Sequence, residues 1–161
     1  REIVEEHAGG MRDGCELRAL LPGGASTSFL TPEHLDLPMD FGHIESAGSR
    51  LGTGTMIVLD DRSCPVGLLR DMEHFFAQES CGWCTPCRDG LAAVSWLLDQ
   101  IEFGRATMDD LAMFKDQVRN ISGRSFCALA EGAMGPVEAL LRLFEDEIID
   151  HIKRGGCPFA W

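Results

Sequence analysis

The sequence predicts a chain of two parts: an α+β unit over residues 1–62, then an all-α four-helix bundle over residues 63–161 that carries a cluster of cysteines. Three observations predict it. Up to about residue 60 the chain is rich in glycine and its apolar residues recur at short period. From Pro65 onward they recur every three or four positions, the period of a helix with one buried face. Between the first two helical stretches stand Cys81, Cys84 and Cys87, in the pattern Cys-x2-Cys-x2-Cys.

In the first part, Ile3, Val4 and His7 belong to a helix that Gly9-Gly10 ends, and the chain enters on helix at Arg1, which predicts a portion of a longer chain. Glu16 to Leu21 is expected as a strand, broken by Pro22-Gly23-Gly24. Leu35 to Phe41 alternates apolar and other residues around a proline, the pattern of an edge strand. His43 to Gly48 fits one short helical turn, and Thr55 to Leu59 a buried strand that Asp60-Asp61 ends.

In the second part, Leu69, Met72, Phe75 and Phe76 form one apolar stripe that stops at Ser80. Thr85-Pro86 has the form of a helix opening, a capping hydroxyl followed by proline in the first helical position. That helix carries Leu91, Val94, Leu98 and Ile101 to about Gly104, with Cys87 in its first turn. Thr107-x2-Asp110 resembles a capping box and opens a third helix with the stripe Leu111, Phe114, Val118 and Ile121. Gly135-Pro136 is expected to open the fourth, with Val137, Leu140, Leu141, Phe144, Ile148 and Ile152 inside. Short joints favour antiparallel neighbours.

Composition narrows the function. The 161 residues carry a formal charge of −12, which disfavours nucleic acid and anionic lipid, both of which want a basic surface. A basic partner subunit suits it. No apolar run reaches the roughly 20 residues that span a bilayer, so no direct membrane insertion is expected, and no signal peptide is visible. The seven cysteines are Cys15, Cys64, Cys81, Cys84, Cys87, Cys127 and Cys157. An odd number with a tight cluster points to a reducing compartment and a metal, not to a secreted disulfide framework.

Three soft sulfur donors in one loop favour an iron–sulfur cluster or zinc, and a closed site needs a fourth. Cys127, in the joint Gly123-Arg124-Ser125-Phe126-Cys127, lies between the third and fourth helices. In a four-helix bundle the first and third joints return to the same end, so the two loops can meet. Four-cysteine zinc sites usually come as two Cys-x2-Cys pairs, whereas three cysteines at this spacing plus a distant one suit a single 4Fe–4S cube. Arg88 and Arg124 are candidate counter-charges, or partners of surface carboxylates; Gly82, Gly90 and the helix start at Thr85 are candidate donors to the cluster, and Trp83 is placed to keep water from it.

The stretch Glu79-Ser80-Cys81-Gly82-Trp83-Cys84-Thr85-Pro86-Cys87-Arg88-Asp89-Gly90, with Gly123 to Ala130 downstream, closely resembles the family of the respiratory complex I flavoprotein, its NADH- and FMN-binding component. So do His7 to Arg12, Leu21 to Ser26 and Gly48 to Gly54, so the resemblance spans essentially the whole chain. It implies that residues 1–62 are an incomplete β-grasp (ubiquitin-like) domain. It implies that Cys81, Cys84, Cys87 and Cys127 ligate one 4Fe–4S cluster in the helical domain. FMN and NADH belong, by the same resemblance, to an N-terminal domain with no counterpart in this sequence. The implied activity is that of an NADH:quinone oxidoreductase, with electrons passing from reduced FMN to the cluster and on toward quinone. The implied partners are other peripheral-arm subunits, among them a 2Fe–2S subunit and a larger iron–sulfur subunit. The place is the cytoplasmic or mitochondrial-matrix side of a membrane complex. The diaphorase subunit of an NAD-linked hydrogenase or formate dehydrogenase shares these motifs, and a zinc-stapled interaction module is the reading from a different class.

Other residues read more plainly. Gly48-x3-Gly52-x-Gly54 lacks the ending of a phosphate loop and fits a tight turn. His34, His43, His74 and His151 pair with no cysteine at ligand spacing and are expected as surface or core polar residues. Cys15, Cys64 and Cys157 are expected as small buried apolar residues. Glu145-Asp146-Glu147 is expected as a solvated face or a surface for a basic partner, and Met56, Met72 and Met134 as filler.

Overall fold

The structure, a computed structural model, describes residues 1–159, in which seven α-helices and a two-stranded sheet divide between two compact units, Arg1–Ser63 and Cys64–Trp161. None of these helices is long and apolar enough to cross a membrane.

In the first unit, strand β1 (Leu17–Leu21) pairs antiparallel with β2 (Ile57–Asp60). Leu20 faces Val58 and Leu21 faces Ile57, with an irregularity between Leu17 and Ala19. Leu20 also bridges Leu30 through two backbone hydrogen bonds of 2.8 and 2.9 Å. Leu20, Leu30 and Ile44 form a buried cluster against which Leu17, Leu35, Met39 and Met56 pack. Ile3–His7 is a single wide π-helical turn. The expected edge strand at Leu35 to Phe41 is absent among the described residues. Instead Asp40 accepts a hydrogen bond from the His43 backbone N–H at 2.9 Å and starts helix α1 (Phe41–Ser46). An N-cap aspartate outcompetes an alternation that Pro38 had already weakened. The Gly48–Gly54 segment is a turn packed on Gly23: a Cβ on Gly52 would lie 2.5 Å from the Gly23 carbonyl oxygen.

In the second unit, helix α2 (Pro65–Gln78) begins on Cys64, whose sulfur accepts from the Gly67 N–H at 3.2 Å. Its buried face is Val66, Leu69, Met72, Glu73 and Phe76; Phe75 of the expected stripe is instead exposed. The second expected helix is two: α3 (Thr85–Arg88), capped by Cys84 rather than Thr85, and α4 (Gly90–Glu102), divided at Asp89. Helix α5 (Met108–Ile121) opens on the expected capping box. The Asp110 N–H donates to Thr107 Oγ1 at 3.3 Å, and the Thr107 N–H donates to the Asp110 carboxylate at 2.7 Å. The fourth expected helix starts earlier and is divided too. Helix α6 (Ala128–Leu143) begins right after Cys127 and contains Pro136, and helix α7 (Glu145–Arg154) follows.

Helix α2 packs on α4 and α6, and α5 packs on the same two, so these four close a ring. Its centre holds Leu69, Leu91, Leu98, Phe114, Val137 and Leu140, each fully buried. The short α3 and α7 lie against this ring. Two close approaches depend on missing side chains. A Cβ on Gly90 would lie 2.6 Å from Ile121 Cγ1, so α4 and α5 touch where α4 begins. A Cβ on Gly104 would lie 1.9 Å from the Gly155 carbonyl carbon, and Gly104 is left-handed at φ 67°. The chain after α7 therefore lies directly on the end of α4, where Cys157 N–H donates to the Glu102 carbonyl at 3.2 Å.

Candidate metal centre

The triplet sits between α2 and α4. Cys81 follows the end of α2 and is exposed; Cys84 is half-buried at the head of α3; Cys87 is buried within α3. Gly82 is left-handed at φ 78° and turns the loop between the first two sulfurs. Ser80 ties the loop from one side, its hydroxyl 3.2 Å from Cys87 Sγ and accepting from the Gly82 N–H at 3.3 Å. Arg88 ties it from the other, donating to the Gly82 carbonyl at 3.1 Å. The same guanidinium pairs with Asp89 at 3.0 and 3.1 Å and also feels the charge of Cys84.

Cys127 is exposed and stands at the N-cap of α6, preceded by Ser125 and Phe126. This loop meets the triplet. The backbone of Phe126 lies at the Cys84 sulfur and is the main cause that holds the Cys84 thiol below the usual thiol range. The Phe126 ring lies edge to face on Trp83, centroids 5.3 Å apart. The Ser125 hydroxyl lies beside the same sulfur, and it is buried without a well-formed hydrogen bond of its own. Trp83, expected over the cluster as a shield, is 76% exposed and makes its ring contact with Phe126. Of the candidate donors, the Gly82 N–H is taken by Ser80 and Gly90 is buried against Ile121.

The residues present fit a sulfur-ligated cluster. Four free thiols stand on two loops that meet at Trp83 and Phe126, with the orphaned Ser125 hydroxyl beside them.

A second convergence of donors was not foreseen. Cys64, expected as a plain buried residue, has its sulfur 3.2 Å from Nε2 of His151, a histidine expected to pair with no cysteine. Glu102 and Cys157 join them, and all four donor atoms lie within 4.8 Å of one another. The spacing gave no signal, because the four residues come from three helices and the tail. His34 lies against Thr31, His43 against Asp40, and His74 of α2 reaches Asp99 of α4. Glu145 is no bare solvated face either, since Lys115 donates to it at 2.7 Å.

Residues 67–151 match the family described as the NADH-ubiquinone oxidoreductase-F iron-sulfur binding region. The chain is 47% identical, over 99% of its length, to the F subunit of NADH-quinone oxidoreductase in Escherichia coli, and 42% identical to the protein of that name in Mycobacterium bovis. It spans 36% of the length of each of these relatives. Among solved structures it superposes on a chain of an NAD+-reducing [NiFe]-hydrogenase in the H2-reduced state. There the TM-score is 0.76 at 28% identity, covering 96% of this chain and 26% of that one.

Proposed function

This chain belongs to the NADH-ubiquinone oxidoreductase-F iron-sulfur binding family, and on that premise we propose that it is an electron-transfer portion of an NADH:quinone oxidoreductase flavoprotein. Cys81, Cys84, Cys87 and Cys127 hold a 4Fe–4S cluster in this reading. The observation that carries it is the contact between loops: the Phe126 ring, next to Cys127, lies edge to face on Trp83, next to Cys84, with centroids 5.3 Å apart. Two segments with 39 residues between Cys87 and Cys127 thereby come into contact.

A 4Fe–4S cluster, when bound, takes up and releases one electron at a time. The chain's own residues supply the rest. The Phe126 backbone offsets negative charge at the Cys84 sulfur, and the Ser80 hydroxyl stands at the Cys87 sulfur. Cys127 at the head of the 16-residue α6 lies where the helix start is partially positive, which favours negative charge held at that end. Trp83 and Phe126 cover the outer side of the joined loops.

The finer architecture fits the same reading. The ring of α2, α4, α5 and α6 is a four-helix bundle over residues 63–161, with both cysteine loops at one end. Residues 1–62 are an incomplete β-grasp domain, for which the β1–β2 pair and α1 supply the core. FMN and NADH bind outside these residues, electrons come from reduced flavin, and they leave toward quinone through a 2Fe–2S subunit and a larger iron–sulfur subunit of a peripheral arm. A diaphorase subunit of an NAD-linked hydrogenase is the second reading, favoured by the superposition on an NAD+-reducing hydrogenase chain. Co-purifying subunits separate the two.

The test is iron and acid-labile sulfide on anaerobically prepared protein, with electron paramagnetic resonance of the reduced form. About four irons and four sulfides per chain are expected, and Cys127→Ala abolishes the signal. An unchanged spectrum in Cys127→Ala removes it as a ligand, and a colourless protein without iron removes the reading.

A further inference from the structure

We propose that Cys64, Glu102, His151 and Cys157 form a second metal site in this chain, closed and four-coordinate, that holds zinc as a structural ion. Helix α2 separates this site from the cysteine triplet: Cys64 caps its first turn and Cys81 follows its last. A 14-residue helix is about 21 Å long, so the two sites cannot share an ion.

Three of the donor atoms are spaced like one face of a zinc tetrahedron. Cys64 Sγ lies 3.2 Å from His151 Nε2 and 3.9 Å from Glu102 Oε2, and Nε2 lies 3.4 Å from Oε2. Zinc bonds of about 2.0–2.3 Å in a tetrahedron place neighbouring ligand atoms about 3.3–3.8 Å apart. The three edges scatter around that range, and Cys157 Sγ lies within 4.8 Å of the other three donors.

The histidine is set for this task. His151 is fully buried, and its Nδ1 lies 2.6 Å from the Glu147 carbonyl oxygen. A carbonyl only accepts, so Nδ1 carries the proton and Nε2 turns a lone pair toward the cysteine. The Gly67 N–H donates to the Cys64 sulfur at 3.2 Å, as backbone donors do to metal-bound thiolates. Arg70 lies near enough to Glu102 to add positive charge beside the carboxylate. Two sulfurs, one imidazole and one carboxylate are a donor set for zinc, not for magnesium or calcium, which want oxygen throughout. Four protein ligands leave no open position, so the ion's role is structural: it joins the start of α2, the end of α4, α7 and the tail.

The test is metal analysis of the anaerobically prepared chain, with zinc and iron counted separately after dialysis against zinc and removal of loose metal. About one zinc per chain is expected in addition to iron. Cys157→Ser and Cys64→Ser each lower zinc at least about tenfold and leave iron unchanged. Serine at position 64 still caps α2, so that variant keeps the helix. Cys81→Ser does the reverse, lowering iron and sparing zinc, so a failure here is separable from a failure of the cluster reading. Cobalt in place of zinc gives the visible bands of a tetrahedral ion with thiolate charge transfer, which weaken in each single-cysteine variant. A wild-type chain that retains no zinc, zinc retained in full by both serine variants, or a pale six-coordinate cobalt spectrum overturns the proposal.

Discussion

Trp83 and Phe126 stand edge to face across the two cysteine loops, their rings 5.3 Å apart at 65°, although each is about three-quarters exposed. Two large aromatic rings left in water but stacked on each other act as a strap between the triplet loop and the Cys127 loop. Such a pair contributes about 0.5–1.5 kcal/mol beyond its buried area. Phe126→Ala keeps the backbone beside Cys84 but removes the strap. The cluster's visible absorbance should then bleach in air about two to ten times faster. An unchanged bleaching rate means that the pair holds nothing together.

Glu73 lies inside the helical ring with neither carboxylate oxygen hydrogen-bonded and no exposure to solvent. Burial pushes its carboxyl well above the ordinary carboxylate range. The folded protein therefore keeps a proton that the unfolded chain releases above about pH 4.5. Stability is greatest below that pH and falls as pH rises toward the folded-state value. Glu73→Met should remove this slope and stabilise the protein at pH 8 by about 1–3 kcal/mol, since nothing polar is then left unsatisfied. Urea unfolding at pH 5 and pH 8 checks it; a slope that survives the substitution contradicts it.

In the first unit the opposite sign holds. Arg12 donates to the Asp60 carboxylate, as do Ser63 Oγ at 2.5 Å and the Arg62 N–H at 3.3 Å. With Arg12 as the main cause, the Asp60 carboxyl is held down to about 2. Its stabilising contribution is complete above the ordinary aspartate value of about 4 and fades as pH falls toward about 2. Asp60→Asn should speed amide exchange in β1 and β2 at pH 5, and the difference from wild type should shrink by pH 2.5. Equal exchange at pH 5 would show that the cluster of donors does not support the sheet.

Gly90 presses on Ile121, with room for no Cβ. Gly90→Ala should destabilise the helical unit by about 1–3 kcal/mol, as overpacked cores do. Adding Ile121→Val, which frees space at that contact, should recover part of the loss. The double variant tests contact rather than helix propensity, because alanine is the better helix former. No recovery places the effect elsewhere.

The parts of the fold that were legible in sequence are those with a local cause. The capping box at Thr107 and Asp110 formed as read because both partners sit within one turn. The contact between the triplet loop and the Cys127 loop, Trp83 on Phe126, accords with the order of the helices. What could not be read has a tertiary cause. The stripe from Leu91 to Ile101 gives no sign that the helix opening at Thr85 is interrupted at Asp89, next to the point where Gly90 meets Ile121. Pro136 suggested a helix start because proline suits a first turn, yet it sits eight residues inside α6, buried beside Gly132 and Ala133. The Cys64, Glu102, His151 and Cys157 group has no spacing to recognise, since it exists only once α2, α4 and α7 are packed.

Gly104 and Gly155 cross backbone to backbone, with no side chain between them. The tail after α7 is thereby a clasp, not a tether. Trimming the chain back to Gly155 would take away the sulfur of Cys157 and also the hydrogen bond its amide gives to Glu102, unlatching the far end of α4 from a distance in sequence of some fifty residues. A protease that nicks at Gly155-Gly156 would thus disarm the helical unit without touching a single helix.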